Sequence, residues 1–502
     1  MTPRAAPPRP AKLVLAVIDG CRPDMLERAV AEGRAPILGR LMAEGRYVDA
    51  LVAAFPSVTP VCTASIVTGA GPDRHLIPSM NWYHRGERRY VEYGSSFQAS
   101  RTFGIQRSLN DTVYNLNLSH LSRATPTVFE TLDDAGVRTA GTTFLMYRGR
   151  HRHESAGESA LARLVTSTLM RHAVYGPREL FYADLFASRE TGCRSQLGLP
   201  GSRDAAAGCV GAYLAEHDLF DFLLLSLPDT DTASHKGGPD AQVAAVVAAD
   251  LQLARMMDAV GGPDAFLADH AVIVVSDHAH VLVQRRIGLL AALAGRRVLQ
   301  PADPRPQEAE IAVCPAQRSA MVYVLDDDQR EVVAPEVADA VDGLDGVDLV
   351  VRPAGDEVSV RGRRGELRFA PGGDLTDLGG RRWSVEGDLA ALEARTPDGR
   401  FVSDTYPDAL FRLWSAATSP TSGDVLLSAT PGYEFVDWGG VDHLGAGSHG
   451  ALHRDDSHGI LIAHGAGPSS SEDRLQWTLR DIEPMVRSHF GLGRGSAGPP
   501  GG

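Results

Sequence analysis

Four short runs of apolar residues along the chain each end in polar residues. The runs LVLAVI, FLLLSL, AVIVVS and GILIA are followed by Asp19-Gly20, Pro228-Asp229, Asp277-His278 and His464-Gly465. Runs of this length, apolar on both faces and separated by helical patterns, are typical of buried strands in a parallel sheet.

Segments between these runs have the pattern of helices. They cover residues 22–45, 126–136 and 241–262, and the last two end at glycine. Alternating strands and helices predict an α/β fold, with a central, mostly parallel, doubly wound sheet between helices. Ligands of such sheets bind at the carboxyl ends of the strands, where the polar residues after the apolar runs lie.

The stretch 286–440 has a different pattern. The short runs MVYVL, VDLVV, VSVRG and LRFA alternate with Gly, Asp and Pro turns, which predicts an inserted α+β cap subdomain. We expect the chain to return to the main sheet near DVLLSA and GILIA. The predicted organisation is a flexible N-terminus (1–11), a core (12–285), the cap with a partial return (286–440), a core return (441–492) and a disordered tail (493–502).

The composition argues against several classes of protein. The chain has 502 residues and a formal net charge of −14, which argues against a surface that coats nucleic acid. Its five cysteines are scattered and lack CxxC spacing, so we expect neither a disulfide framework nor a thiolate zinc site. No run approaches the roughly 20 apolar residues of a transmembrane helix, and the N-terminus lacks a signal pattern. We therefore expect a soluble, cytoplasmic protein, whose oligomeric state the sequence leaves open.

Four separated segments place Asp and His at predicted strand ends. They contain Asp19; Asp229, Asp231 and His235; Asp277, His278 and His280; and His449 and His453. Each segment alone is common as a helix cap or a hydrogen-bonded residue. Together, carboxylates and imidazoles at one sheet edge form a site typical of Zn²⁺ or Mn²⁺. These side chains are more numerous than the four ligands of one tetrahedral zinc. They suit two ions about 4 Å apart that bind one phosphoryl group between them.

A hydroxyl-rich segment precedes a predicted helix. In FPSVTPVCTASIVTG, residues 55–69, the hydroxyls of Ser57, Thr59 and Thr63 are either helix caps or include a nucleophile. Thr59 is followed by Pro60, which suits the first helical position. A hydroxyl bound to a metal ion loses its proton near neutral pH, and a helix N-terminus offers backbone N–H groups to phosphate oxygens.

These segments together resemble the alkaline phosphatase superfamily. Within it they are most similar to the nucleotide pyrophosphatase/phosphodiesterase branch and its relative, phosphonoacetate hydrolase. The pieces that carry the resemblance are VIDGCRPD, FPSVTPVCTASIVTG, DTASHKGGPD, VVSDHAH and GSHGALH. The resemblance implies a central, mostly parallel sheet between helices.

The resemblance also implies roles for individual residues. One zinc would be surrounded by Asp19, Thr59, Asp277 and His278, and the other by Asp231, His235 and His449. Thr59 would be the nucleophile that forms a covalent phosphoryl intermediate. Asp231 rather than Asp229 matches the position four residues before His235, so Asp229 becomes a neighbouring group.

The chain departs from the family pattern at several positions. Cys62 stands where an asparagine donor is usual, and a thiol is a much weaker donor. His280 replaces a small apolar residue or Met. Asn81 and Tyr83 lie in a segment that lines the leaving-group pocket of relatives, so these four residues are candidate substrate contacts. A sulfatase is excluded because Cys62 lacks the Pro and Arg of the C/S-x-P-x-R context.

The leading hypothesis is a di-zinc hydrolase of a small phosphodiester or pyrophosphate-type substrate, with Mn²⁺ or another divalent ion as the alternative metal. A second hypothesis keeps the site but changes the bond, to a phosphomonoester or a phosphonate C–P bond. A third, of another class, is a binding protein that keeps the fold and has lost turnover, a possibility that Cys62 favours.

Overall fold

A large mixed sheet organises the molecule. The computed structural model describes residues 11–155, 172–468 and 474–493. Within these residues the largest sheet has nine strands, numbered here in chain order. They are β1 (Lys12–Ile18), β2 (Arg46–Val52), β3 (Thr139–Thr142), β4 (Glu179–Tyr182), β5 (Phe186–Ala187), β6 (Phe222–Leu227), β7 (His270–Val275), β8 (His458–His464) and β9 (Trp477–Thr478).

The strand order confirms the predicted sheet. Across the sheet it is β9-β2-β8-β7-β1-β6-β3-β4-β5. β1 pairs in parallel with β6 on one side and with β7 on the other, and β3 and β4 continue in the same direction. β8 runs antiparallel between β7 and β2. The sheet is therefore mostly parallel, and it is doubly wound because β1 lies between strands that come later in the chain.

Both faces of the sheet are buried, which explains the continuous apolar runs. Side chains of β1 alternate between two core clusters, with Leu13, Leu15 and Val17 on one face and Val14, Ala16 and Ile18 on the other. The second of these faces packs against helices Pro23–Ala31, Pro36–Glu44, Arg203–Glu216, Gln242–Asp258 and Pro263–Asp269. The first face packs against Thr59–Thr68, Val128–Asp134, Ala409–Ala417 and Ile482–His489.

A second, antiparallel sheet of seven strands occupies much of the predicted cap region. In spatial order its strands are Ile311–Ala316, Ser319–Val324, Val425–Ala429, Val347–Ala354, Glu357–Gly362, Gly365–Thr376 and Arg382–Gly387. One face shares a core cluster with the main sheet, and the other packs against helix Arg330–Val341. Strand Val425–Ala429 contains most of DVLLSA, so the prediction that this run returns to the main sheet is wrong.

Shorter elements complete the described part of the chain. The remaining α-helices are Pro72–His75, Phe97–Phe103, Ile105–Asn110, Asp229–Gly237, Leu289–Ala292 and Arg454–Ser457, together with the π-helix Asp111–His120 and several single-turn 3-10 helices. The small strand pairs are Asn81–His84 with Arg89–Glu92, His151–His153 with Val174–Gly176, Val281–Leu282 with Gly447–Ser448, Arg285–Ile287 with Tyr433–Phe435, and Ala394–Arg395 with Val402–Ser403. Among the described residues, no helix has the length and apolar character needed to cross a membrane.

The direction of β8 corrects one expectation. His464 follows the GILIA run, but β8 is antiparallel, so His464 pairs with Val272 near the start of β7. It therefore lies far along the sheet from Asp277, which follows the end of β7. The amino end of β8 instead reaches the edge where β1, β6 and β7 end. The predicted flexible N-terminus and disordered tail, apart from residues 11 and 493, lie outside the described residues.

A disulfide bond joins Cys193 to Cys209, whereas the sequence predicted no disulfide framework. Cys209 lies on helix Arg203–Glu216, and Cys193 lies in the segment that leads to it. The pairing depends on how this segment folds over the helix, which cysteine spacing alone does not reveal. Structural disulfides persist mainly in oxidising compartments, so this bond is an observation against the predicted cytoplasmic location.

The disulfide predicts a thiol count. Cys21, Cys62 and Cys314 are free, so the denatured chain purified without reductant should titrate with three thiols, and with five after reduction. Because the bond closes a short loop of 16 residues, Cys209→Ala should lower the free energy of unfolding by about 3 kcal/mol. Five thiols in the unreduced chain would contradict the bond.

Candidate functional site

Three aspartates meet at the carboxyl ends of the central strands. Asp19 directly follows β1, Asp231 lies just after β6, and Asp277 comes shortly after β7. Because β1 lies between β6 and β7, these ends are neighbours: the N–H of Asp19 donates to the carbonyl of Leu227 at 3.1 Å, and the N–H of Gly20 to Asp277 Oδ1 at 3.0 Å. The sheet edge predicted from the sequence therefore brings the carboxylates together.

Asp19, Asp277 and His278 form one group of potential ligands, whose ligand atoms all lie within 4.8 Å of one another. His278 Nε2 is 3.5 Å from Asp19 Oδ1 and 3.4 Å from Asp277 Oδ2. The hydroxyl oxygen of Thr59 lies 3.2 Å from the same Nε2. The four residues that the resemblance assigned to one zinc are thus side by side; we call them the Asp19 group.

Asp231, His235, His280 and His449 form the second group, again within 4.8 Å. We call it the Asp231 group. Asp231 and His235 are four residues apart on helix Asp229–Gly237, so their side chains share one face. His449 comes from the loop before β8, whose antiparallel direction brings that loop to this edge. His280, which the sequence suggested as a substrate contact, is the unexpected member.

Hydrogen bonds set the tautomers of two imidazoles. The Nδ1–H groups of His235 and His449 donate to the carbonyls of Gly447 and Ser57, both at 2.8 Å. In the neutral ring, Nε2 then carries a lone pair. Both Nε2 atoms are turned toward Asp231 Oδ1, at 3.1 and 3.5 Å. Lone pairs directed at a carboxylate oxygen are arranged for a cation, which is the usual function of such outer hydrogen bonds.

Burial determines the charges of the site. It raises the pKa of Asp19 well above its usual value, with Asp277 and Asp231 adding repulsion, and it raises the pKa of Asp277 to about 6. Burial also lowers the pKa values of His278 and His449 to about 4, which keeps them neutral. Asp231 is the exception: burial acts to raise its pKa, but His235 and the other imidazoles hold it well below the usual value.

Unpaired polar atoms indicate what the site holds. Asp19 Oδ1 and Asp277 Oδ2 are buried and lack a hydrogen-bond partner among the described residues. Buried carboxylates without partners are costly, and a divalent cation in the Asp19 group, to which both atoms belong, would satisfy them. The donor set of carboxylates, neutral imidazoles and one hydroxyl suits zinc or manganese. The residues therefore fit a pair of metal ions.

Thr59 is the first residue of helix Thr59–Thr68 and remains partly exposed. Ser57 and Thr63 have other roles: Ser57 Oγ donates to the carbonyl of Ala451 at 2.8 Å, and Thr63 Oγ1 to the carbonyl of Thr59 at 2.6 Å. Neither caps the helix, since no side chain makes a cap bond there. Ser57 instead helps to hold the loop that carries His449.

The helix start offers few N–H groups to a phosphate. Pro60 has none, and the N–H groups of Val61 and Cys62 both donate to the carbonyl of Val58 at 3.0 Å. The expectation that this N-terminus supplies several donors is therefore wrong for these residues.

Cys62 is fully buried in the core cluster that contains the Thr59 helix. Burial raises the pKa of its thiol well above the usual value, and Asp277 adds to this effect. The thiol is therefore neutral and has no exposed surface. A contact between Cys62 and a substrate stays a prediction.

Asn81 and Tyr83 lie in the hairpin Asn81–His84 with Arg89–Glu92. Both are buried: Asn81 Nδ2 donates to the carbonyl of Val91 and to Glu92, and the Tyr83 ring packs against Tyr90 and Tyr323. Neither belongs to the two ligand groups. Their proposed substrate contacts also remain predictions.

Asp229 and His280 differ in how well the sequence predicted their positions. Asp229 accepts hydrogen bonds from the N–H groups of Gly201 and Asp204 and from Arg203 Nε, so it anchors the start of helix Arg203–Glu216. This agrees with a neighbouring role. His280 lies two residues after His278 in a non-helical stretch, and that spacing is the signal that could have placed both rings at the site.

The geometry can be compared with known proteins. The family model described as type I phosphodiesterase/nucleotide pyrophosphatase matches residues 13–452. Comparison with curated protein sequences gives no match.

Solved structures share the fold. Phosphonoacetate hydrolase from Sinorhizobium meliloti 1021, in complex with phosphonoformate, has a TM-score of 0.55 at 17% identity, over 96% of this chain and 97% of that chain. An inactive form of murine ectonucleotide pyrophosphatase/phosphodiesterase 5 in complex with AMP has a TM-score of 0.57 at 13% identity, over 98% and 97%. The human form of that protein has a TM-score of 0.54 at 14% identity, over 98% of this chain and 97% of that chain.

Proposed function

This chain belongs to the type I phosphodiesterase/nucleotide pyrophosphatase family, and on that premise we propose that it cleaves a phosphodiester or pyrophosphate-type bond with two metal ions and Thr59 as nucleophile. Family membership makes it a phosphoric ester hydrolase. The observation that carries the finer proposal is the partly exposed Thr59 hydroxyl, 3.2 Å from His278 Nε2, beside two groups of metal-ligand type.

Two zinc ions would be held by the chain's own residues. Asp19, Thr59, Asp277 and His278 would hold one, and Asp231, His235 and His449 the other. Bound divalent ions supply neutralisation of phosphoryl charge and acidify a coordinated hydroxyl. Manganese or another divalent ion is the alternative, because the donor set does not select zinc alone.

Core packing and hydrogen bonds hold the proposed nucleophile, Thr59, in position. Helix Thr59–Thr68 is packed into the main core, so its first residue has little freedom. Ser57 joins the Thr59 segment to the loop of His449, since Gly450 N–H donates to Ser57 Oγ at 3.2 Å. Thr59 and the two metal groups are thereby held in one unit, as attack on a bound phosphoryl group requires. The attack forms a bond between the Thr59 oxygen and phosphorus and breaks the bond from phosphorus to the leaving alcohol or phosphate; water then hydrolyses the phosphoryl ester, releases the second product and restores the Thr59 hydroxyl.

The alternative substrates, a diester, a monoester and a phosphonate, differ in the group that leaves phosphorus. The two related structures were solved with phosphonoformate and with AMP, so a diester, a monoester and a phosphonate all deserve measurement. We expect turnover of bis-p-nitrophenyl phosphate to exceed that of p-nitrophenyl phosphate and of phosphonoacetate. A preference for either of the latter substrates would replace the diester assignment.

Metal removal tests the proposal directly. Protein purified without chelator should contain about two zinc ions per chain, and dialysis against a chelator should abolish diester turnover. The chelated protein should also melt at a lower temperature, because the buried carboxylates lose their cations. Added Zn²⁺ or Mn²⁺ should restore both properties. Absence of bound metal together with absence of turnover on all three substrates would support a binding protein instead.

A further inference from the structure

We propose that His280 is a fourth protein ligand of the metal ion in the Asp231 group. The inference rests on the proposed two-metal function. It makes the two metal sites unequal: the four ligands of the Asp231 site are all carboxylate or imidazole groups, whereas one of the four at the Asp19 site is the hydroxyl of the attacking Thr59.

His280 lies as close to the group as the expected ligands do. Its Nε2 is 3.0 Å from Asp231 Oδ1, compared with 3.1 Å for His235 and 3.5 Å for His449. All four ligand atoms lie within 4.8 Å of one another, and the His280 ring is fully buried. On distance alone His280 cannot be separated from the other three residues.

More imidazole nitrogens converge on Asp231 Oδ1 than that oxygen has lone pairs. Three imidazole nitrogens face Asp231 Oδ1, and a carboxylate oxygen has only two lone pairs. His235 and His449 already carry their protons on Nδ1, so in the neutral form they cannot donate to Asp231. His280 Nδ1 has no partner among the described residues, so no outer bond dictates its tautomer. A cation accepts all three Nε2 lone pairs at once.

Two glycines make room for the His280 ring. A Cβ at Gly20 would lie 2.5 Å from His280 Nε2, and a Cβ at Gly447 would lie 3.2 Å from its Nδ1. The His280 backbone is held as well, because Arg22 Nη1 donates to its carbonyl at 2.6 Å. The next residue, Val281, pairs with Ser448. The ring is therefore fixed between two segments that also carry Asp19 and His449.

Four protein ligands change what each metal ion does. Zinc with four Cys, His or carboxylate ligands is typical of structural sites, whereas catalytic zinc has three and keeps its fourth position for a reacting group, which here is the Thr59 hydroxyl. We therefore expect the Asp231 site to bind its metal more tightly and to fill first. Substrate oxygens would bind mainly at the Asp19 site, next to Thr59.

Proton NMR of the cobalt-substituted protein tests the assignment. With one equivalent of Co²⁺ per chain, each ligating histidine gives one strongly shifted, exchangeable imidazole N–H signal. The proposal expects three such signals, from His235, His280 and His449. His280→Ala should remove one of them and weaken retention of the tighter metal against a competing chelator by at least about 100-fold.

The matched control is His453→Ala. His453 lies in the same segment as His449 but outside both groups, and it packs against Tyr406. This variant should keep three signals and the wild-type metal retention. The wild-type count is decisive even if His280→Ala fails to fold.

Two other results have distinct meanings. One or two signals in the wild type, or an unchanged count in a folded His280→Ala, would overturn the fourth-ligand assignment while leaving the two-metal proposal intact if two ions still bind. A wild-type protein that binds no metal would overturn the proposed function itself.

Discussion

Thr59→Ala is expected to reduce turnover of bis-p-nitrophenyl phosphate by at least about 10³-fold, equivalent to about 4 kcal/mol in the activation free energy. The variant deletes the oxygen that lies 3.2 Å from His278 Nε2 and that we assign as the attacking atom. The carboxylates and imidazoles of both metal groups remain, so the metal content should stay near two ions per chain. The measurement is steady-state turnover together with metal analysis on the same samples.

Two control variants sharpen this test. Thr59→Ser keeps the hydroxyl and should recover much of the lost rate. Thr63→Ala removes another hydroxyl of the same helix, one that donates to the carbonyl of Thr59, and should change turnover less than about tenfold. Full turnover in Thr59→Ala would eliminate the covalent mechanism, whereas equal losses in both alanine variants would indicate a structural effect on the helix.

The central strands could be predicted because both of their faces are buried, which makes their sequences continuous apolar runs. β1 alternates between two core clusters, so every position in LVLAVI is apolar whichever way it points. A continuous apolar run does not, however, indicate which strands will pair with it. DVLLSA also contains a short apolar run, yet it forms a strand of the second sheet, and GILIA forms an antiparallel strand. Strand pairing depends on contacts distant in the chain, which a local pattern does not contain.

The metal-ligand groups could be predicted for a different reason. Asp19, Asp231 and Asp277 follow three apolar runs, and parallel strands end at one edge, so their meeting follows from topology. His235 follows from helical spacing. His280 and the disulfide could not be derived in this way, because each depends on two segments that pack against one another: Gly20 with Gly447 around the ring, and Cys193 with the helix of Cys209.

Arg318→Met is expected to lower the free energy of unfolding by about 3–5 kcal/mol, because it leaves a buried carboxylate without its partner. Arg318 and Asp456 are both fully buried, and Arg318 Nε donates to Asp456 Oδ1 at 2.7 Å. The remaining guanidinium donors reach Asp456 Oδ2 and the carbonyls of Ala429, Thr430 and Tyr433. The measurement is urea unfolding of wild type and variant at equal metal saturation.

The Arg318 pair also joins the second sheet to the metal groups. Arg318 N–H donates to the carbonyl of His449 at 3.0 Å, and the carbonyl of Asp456 accepts from Ala279 N–H at 2.9 Å. Arg318→Met leaves these two backbone hydrogen bonds possible but removes the side-chain pair that holds their segments together, so it should weaken metal retention as well as the fold. The exposed pair Arg395–Asp404 is the control, and Arg395→Met should change the unfolding free energy by less than about 1 kcal/mol. Adding Asp456→Asn to Arg318→Met should recover part of the lost unfolding free energy, because it removes the unpaired charge. If the double variant is no more stable than Arg318→Met alone, the destabilisation comes instead from the lost contacts with the carbonyl groups.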